Sequence, residues 1–330
     1  MDEYWALPML HESEDPLNPN VIFVVEGVQL MFWCITVPFY TILVVFLVDA
    51  QKRRHAGLNT PFFKLCISTA IIDLVTMMNN YFGAMFPKWG YFVLFYVRAG
   101  RIYGHTYMYL AWVSVGCQAM CVSVLAANRF SAIVFPRQYP NMFWYRRIWI
   151  PIAIQYVPGS LLGILTFFNP VRLTRNSLNG IVPKFTVLSL TNLFYAIGAA
   201  VITLNCLFLF VIYLYLFKSL RARKKKQIFS AQLFARNTTS KGDTNLLVMC
   251  SIIVGVQLII LLITIYSLSP LYTLSTDQYY LIHNLLSDIY SGINPYLLCV
   301  FSPTLRKYIL LRIGKRTKTT FVVAVSVAVY

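Results

Sequence analysis

The stretch VIFVVEGVQLMFWCITVPFYTILVVFLV, residues 21–48, decides the fold class of this chain. It holds a single charged side chain, that of Glu26. A helix needs roughly 20 mainly apolar residues to cross the hydrocarbon core of a bilayer. The stretch therefore predicts a membrane-spanning helix that is long enough to tilt.

The rest of the chain shares this composition. Of its 330 residues, 58% are hydrophobic and only 12% are charged, whereas a soluble domain averages about 25% charged residues. A membrane protein needs less polar surface because lipid surrounds it. Six further apolar segments predict six further spans, at Phe62–Phe82, Ile102–Arg129, Ile148–Phe168, Thr186–Phe217, Asn245–Leu268 and Tyr279–Phe301. We therefore predict an all-α membrane protein, a seven-transmembrane helix bundle.

Lysine and arginine are distributed unequally between the two sides of this bundle. Of the 28 basic residues, 22 lie on the side of the C-terminus, and residues 1–20 contain none. Cytoplasmic loops carry such an excess, so the N-terminus is predicted to be outside. The domains follow: 1–20 extracellular, 21–301 transmembrane, and 302–330 a cytoplasmic tail that begins with a short amphipathic helix, Ser302–Arg316. The net charge of +17 then faces anionic lipid and does not call for nucleic acid.

Two features near the outer ends of the spans complete this topology. The segment FPKWGYFVLFYVRAGRIYG, residues 86–104, predicts an interfacial loop, because tyrosine and tryptophan favour the headgroup zone. A re-entrant segment is the alternative. Glu26 lies one turn into the first span, and we expect its carboxylate to reach the interface.

The sequence lacks the motifs of an enzyme or a metal protein. All seven cysteines fall in apolar segments without metal-binding spacing, so we expect no disulfide and no metal site. The four histidines are scattered, and the HExxH, GxSxG and GxxxxGK[ST] patterns do not occur. These observations argue against catalysis.

Polar side chains inside the spans indicate where function lies, because they are costly in hydrocarbon and face the bundle interior. Asp73 lies in the middle of the second span, Gln118 in the third, and Ser291, Asn294 and Pro295 in the seventh. They are expected to meet at one depth as a hydrated network or a sodium site around Asp73. Separate hydrogen bonds between helices are an equally open alternative.

Three of these features together resemble a known family. The triplet NRF, Asn128–Phe130, ends the third span, with Asp73 in the second and the Asn294–Pro295 pair in the seventh. This pattern is similar to rhodopsin-like G-protein-coupled receptors. In that family the arginine at this place is held at rest by an acidic neighbour, and here the neighbour is Asn128.

Further stretches narrow the resemblance to a divergent branch. SVLAANRFSAIVFPRQY (123–139), FFNP (167–170), GIVPKF (180–185) and FPKWGYF (86–92) are similar to nematode serpentine chemoreceptors, class v within the class-gamma superfamily. The resemblance implies a chemosensory receptor at the plasma membrane, often in the cilium of a sensory neuron. It also implies that the receptor activates a heterotrimeric G protein.

The resemblance also implies two sets of site residues. The set for G-protein coupling is Asn128, Arg129, Phe130, Arg221, Arg223 and Lys224. The set expected to line a pocket for a small molecule or a peptide, between the outer halves of spans three, five, six and seven, is Tyr107, Tyr109, Tyr195, His283 and Asp288. The rival class is a transporter or a ligand-gated channel, in which Asp73 and Asp288 form an ion path.

Overall fold

The computed structural model describes residues 2–5, 7–9, 18–55, 57–176, 180–230, 239–268 and 276–314. Long helices make up most of these residues. They are α1 (Pro19–Lys52), α2 (Pro61–Asn80), α3 (Val93–Val134), α4 (Trp149–Leu165), α5 (Leu188–Ser230), α6 (Thr239–Leu268) and α7 (Thr276–Phe301). A shorter helix, α8, follows at 303–314. The predicted seven-helix bundle is confirmed.

Hydropathy separates α7 from the other long helices. Six of the described helices are long and apolar enough to cross a membrane by length and composition, and α7 is the more polar one. Its Asp288, Ser291 and Asn294 are buried. The polarity of α7 is therefore turned into the bundle, where lipid does not meet it.

Local sequence sets where the first helices begin. Asn18 caps α1 by accepting a hydrogen bond from the backbone N–H of Asn20 at 3.0 Å, and Pro19 follows at the first helical position. Pro61 opens α2 in the same way. Proline is favourable there because its missing N–H would have no partner inside the helix.

Helices α3 and α4 approach each other closely at two glycines. A Cβ atom on Gly116 would lie 2.6 Å from the Cα of Gly159, and one on Gly159 would lie 2.5 Å from the backbone nitrogen of Cys117. Helices in lipid associate largely through such close packing of small residues. The glycine pair therefore sets the distance between α3 and α4.

The connection between α2 and α3 differs from the predicted loop. A π-helical turn, Tyr81–Met85, continues α2, and α3 already begins at Val93, with a kink at Gly100, where φ is 49°. Tyr96 and Tyr103 are buried and donate hydrogen bonds to the carbonyls of Phe82 and Gly83, both at 2.7 Å. They brace the end of α2 and do not face the headgroup zone.

Glu26 also departs from the expectation. Its side chain is buried, and its carboxylate accepts hydrogen bonds from Lys88 Nζ at 2.5 Å and from Trp89 Nε1 at 2.6 Å. Both partners come from the connection between α2 and α3. The carboxylate is therefore paired inside the protein and does not extend to the interface.

A two-stranded antiparallel sheet that the sequence analysis did not predict follows α4. Strand β1 (Val171–Arg175) pairs with β2 (Ile181–Phe185), with Val171 opposite Phe185. The N-terminal segment attaches to its edge, since the Arg175 N–H donates to the Pro8 carbonyl at 2.9 Å. The guanidinium of Arg175 lies 4.6 Å from the Trp5 ring. The hairpin and the N-terminal segment thus join at one end of the bundle.

At the opposite end, α8 is fastened to α1. Asp49 accepts hydrogen bonds from Tyr308 Oη at 2.7 Å and from Arg312 Nη2 at 2.6 Å. The hydrogen bond of Arg312 with Asp49, and after it the interaction of Arg312 with the Tyr308 hydroxyl, raises the pKa of Arg312. Leu310 and Leu311 remain exposed. The predicted amphipathic helix therefore has an apolar edge that the bundle does not cover, as expected of a helix lying on a membrane surface.

Candidate functional site

A buried hydrogen-bond network surrounds the carboxylate of Asp73, which is 1% exposed. Gln118 Nε2 donates to one of its oxygens at 2.9 Å. Tyr40 Oη and Asn294 Nδ2 donate to the other at 2.8 and 2.7 Å. The same Gln118 nitrogen donates to Ser291 Oγ at 2.8 Å. The structure thus places Asp73, Gln118, Ser291 and Asn294 in one cluster that joins α1, α2, α3 and α7.

Hydrogen bonds carry this network on to α5 and α6. Tyr290 Oη on α7 donates to Gln257 Oε1 on α6 at 3.3 Å and approaches the Gln118 carbonyl at 3.5 Å. Gln257 Nε2 donates to Asn205 Oδ1 on α5 at 3.2 Å. Asn205 Nδ2 in turn donates to the Ala119 carbonyl on α3 at 3.0 Å. Buried polar groups of this kind are costly to leave unpaired, so the helices are held in one arrangement.

The side chains around Asp73 do not fit a sodium ion as they stand. A cation needs oxygen ligands, whereas the Tyr40 hydroxyl and the amide nitrogens of Gln118 and Asn294 present three protons to the carboxylate. Among the described residues, no three His, Cys, Asp or Glu side chains are grouped to hold a metal ion.

Pro295, the remaining residue of the predicted polar network, lies inside α7, beside Asn294.

A cavity lies between α3, α5, α6 and α7, next to this network. Its lining is mostly aliphatic, with contributions such as Ile202 from α5 and Ile263 from α6. Its polar lining residues are Gln118, Gln257, His283, Ser287 and Tyr290. Gln118, Gln257 and Tyr290 are therefore shared between the cavity and the hydrogen-bond network.

Of the five residues expected to line a pocket, the structure brings only His283 to this cavity. Asp288 instead faces α2, where its carboxylate accepts hydrogen bonds from Asn80 Nδ2 and Tyr81 Oη, both at 3.1 Å. The α7 residue on the cavity side is Ser287, one position earlier, because successive helical residues point about 100° apart.

The three predicted tyrosines pack elsewhere. The Tyr109 ring lies 5.5 Å from the Phe167 ring after α4, and the Tyr195 ring lies 5.5 Å from the Trp112 ring between α3 and α5. Tyr107 lies against Gly83 at the end of α2, where a Cβ would be 2.5 Å from its ring. These contacts are ordinary helix packing, and none of the three tyrosines lines the cavity.

The C-terminal end of α3 shows what replaces the missing acid. Asn128 is fully buried. Its Nδ2 donates to Tyr139 Oη at 3.0 Å, and the same hydroxyl donates back to Asn128 Oδ1 at 3.3 Å. Burial raises the pKa of Tyr139, so the hydroxyl stays protonated and can donate to Asn128 Oδ1. Asn128 thus fixes the loop after α3 and does not point to the arginine.

Arg129 instead lies over an aromatic ring. Its guanidinium carbon is 3.5 Å from the centroid of the Phe62 ring, and Phe62 is 1% exposed at the start of α2. A cation over a ring that is shielded from water gains about 2 kcal/mol. Phe130 follows, with its ring 5.4 Å from that of Tyr215 on α5. The NRF triplet therefore contacts α2, α5 and the following loop.

The basic loop residues of the coupling set lie on the C-terminal extension of α5. Arg221 is exposed. Arg223 and Lys224 belong to the same helix, but their side chains lie outside the described ones.

Sequence reasoning missed several residues of this site. Asn205 and Gln257 are polar residues within predicted spans, so the criterion that found Asp73 would also have found them. Phe62 and Tyr290 carry no comparable signal, because aromatic side chains in membrane helices are most often packing residues.

Comparison with solved structures gives the class of protein. The fold is similar to that of squid rhodopsin, with a TM-score of 0.70, 14% sequence identity, and coverage of 94% of this chain and 91% of that one. Together with the long apolar helices, this likeness places the chain among membrane proteins of the rhodopsin fold.

The sequence comparisons give the family. The chain belongs to the family described as serpentine type 7TM GPCR chemoreceptor Srv, whose model matches residues 29–315. It is 27% identical over 133 residues to serpentine receptor class V-1 of Caenorhabditis elegans, covering 39% of this chain and 41% of that protein. It is 28% identical over 146 residues to olfactory receptor 2T1 of Homo sapiens, covering 42% and 37%. The matched region is less than half the length of these relatives. The predicted nematode serpentine receptor is confirmed, and the chain is a receptor and not an enzyme.

Proposed function

We propose that this receptor binds an external chemical ligand in the cavity between α3, α5, α6 and α7 and activates a heterotrimeric G protein. The observation that carries the proposal is the sharing of Gln118, Gln257 and Tyr290 between the cavity lining and the network. A molecule in the cavity therefore contacts the same groups that hold α5, α6 and α7 against α3.

The arrangement supports a two-state mechanism. In the state seen here, hydrogen bonds from Gln257 and Tyr290 hold α6 to α5 and α7, and Arg129 lies over Phe62. A ligand shifts the populations by as much as it prefers one state over the other. Ligand contacts with Gln118 and Gln257 favour a state in which α5 and α6 move away from α3 at the cytoplasmic end of the bundle. Arg129 then leaves Phe62 and reaches the G protein together with the basic end of α5.

The two buried carboxylates favour a receptor over an ion path. Asp73 is enclosed by three hydrogen-bond donors, and Asp288 by Asn80 and Tyr81. Each aspartate thus ties α2 to neighbouring helices. We further propose that the receptor works without sodium at Asp73 and resides in the plasma membrane, with the sensory cilium as its specialised site.

The test is a panel of odorants and peptides applied to cells that display the full chain at the surface. The proposal predicts that a ligand activates a G-protein biosensor and evokes no current when G-protein signalling is blocked. A ligand-evoked current that persists under that block would instead support the channel or transporter.

A further inference from the structure

The chemistry of the cavity indicates which ligands it accepts. None of the described lining residues is Asp, Glu, Lys or Arg, and the lining is dominated by aliphatic side chains. Burying an ion without an opposite charge carries a large desolvation penalty. The cavity therefore selects uncharged molecules that are largely apolar.

The hydrogen-bonding groups of the lining indicate which polar group the ligand carries. Both protons of the Gln118 amide are turned to Asp73 and Ser291, and its Oε1 accepts no hydrogen bond from the described residues. Gln257 Nε2 donates one proton to Asn205, and its second proton has no acceptor among the described residues. Ser287 Oγ accepts from Asn80 Nδ2. Besides the polar side chains of His283, Ser287 and Tyr290, the cavity thus offers an acceptor on Gln118 and a donor on Gln257 that have no partner among the described residues.

The size of the cavity limits the ligand further. Its free volume is about 40 Å³, and one water molecule needs about 10–15 Å³ by this measure. The space matches roughly three waters, so only a molecule of a few non-hydrogen atoms is comparable to it in size. A longer ligand would have to push the helices apart before it could enter.

We infer that the cavity is a binding site for small neutral hydroxyl compounds, that is, short aliphatic alcohols. The alcohol proton is donated to Gln118 Oε1, and the alcohol oxygen accepts from Gln257 Nε2. The alkyl part lies against Ile202 and Ile263. This inference rests on the proposed function for its signalling consequence, but binding itself is measured without a G protein.

The experiment compares three probes of equal size on the full chain purified in lipid nanodiscs. 1-Propanol donates and accepts a hydrogen bond, acetone only accepts, and 1-propylamine is a cation at neutral pH. The thermal unfolding midpoint is recorded against the concentration of each probe. We expect 1-propanol to raise this unfolding midpoint. Its half-saturating concentration should be no lower than about 40 µM, which is the limit set by the binding energy that four non-hydrogen atoms can supply. Acetone and 1-propylamine should need at least about a tenfold higher concentration for the same increase in the midpoint.

Variants that fill the cavity locate the site. Ile263→Phe on α6 and Ile202→Phe on α5 reduce the free volume from two directions without touching a hydrogen bond. Ile259→Phe makes the same change on the exposed face of α6, where Ile259 is 49% exposed. We expect the two filled variants to lose the response to 1-propanol and Ile259→Phe to keep it.

The outcomes separate this inference from the proposed function. Equal responses to acetone and 1-propanol, a response that persists in both filled variants, or no response of the native chain to 1-propanol would each overturn the inference. Binding of 1-propanol that never stimulates nucleotide exchange on a G protein would leave the inference standing and refute the proposed function.

Discussion

Replacing Phe62 by leucine tests how Arg129 is held in the absence of an acidic neighbour. The ring of Phe62 lies 3.5 Å from the guanidinium carbon and is almost fully buried. Leucine keeps an apolar side chain there but removes the aromatic face, so about 1–2 kcal/mol of cation–π attraction is lost. If that attraction is present only in the resting state, the ratio of active to resting receptor rises about 5- to 30-fold.

The assay is ligand-free nucleotide exchange on a purified G protein by receptor in nanodiscs. Phe63→Leu is the matched control, because Phe63 is also buried and lies next in the chain, so both variants lose a ring from the core. Phe62→Tyr keeps the aromatic face and should behave like the native chain. An increase in basal exchange that is equal in Phe62→Leu and Phe63→Leu would refute the reasoning.

Three further predictions concern packing and the buried polar groups. Gly159→Leu should separate α3 from α4 and lower the thermal midpoint and surface level, whereas Gly255→Leu on α6 should do neither, because a Cβ there meets no atom within 4 Å. Gln118→Leu should destabilise the receptor by about 1–3 kcal/mol, since it removes the hydrogen-bond donor of two buried acceptors, on Asp73 and Ser291. The thermal midpoint of the native chain should be equal in sodium chloride and choline chloride. An increase specific to sodium would contradict the conclusion that three donated protons surround the Asp73 carboxylate. Lys88→Met should destabilise by roughly 3 kcal/mol, because it leaves the buried Glu26 carboxylate with Trp89 alone; the double variant Lys88→Met, Glu26→Gln should recover much of this loss in chemical denaturation.

The sequence predicts the bundle well because lipid imposes a simple rule on long apolar stretches. The positions of Asp73, Gln118, Ser291 and Asn294 also follow from sequence, since a polar side chain in a span must find a partner. Their pairing with each other is a matter of helix rotation and depth. The amide of Gln118, for example, donates to both Asp73 and Ser291. These three residues lie on three different helices, so the spacing of residues within one helix cannot predict the contact.

The outer end and the pocket were harder to predict. Residues 86–104 mix aromatic and basic side chains, and the interfacial pattern of Tyr96 and Tyr103 gives no sign that both hydroxyls reach carbonyls of α2. The predicted pocket tyrosines have good aromatic partners elsewhere. Whether Asp288 or Ser287 faces the cavity depends on a rotation of about 100°, which is finer than hydropathy can set.

The most direct test of ligand-driven coupling through Arg129 is stimulated nucleotide exchange on a purified heterotrimeric G protein. Receptor in nanodiscs is compared with Arg129→Gln and with Lys64→Gln, which removes an exposed positive charge near the same end of the bundle. With an activating ligand, the account predicts stimulation by the native chain and by Lys64→Gln, and none by Arg129→Gln at equal receptor amounts. Full stimulation by Arg129→Gln would contradict it.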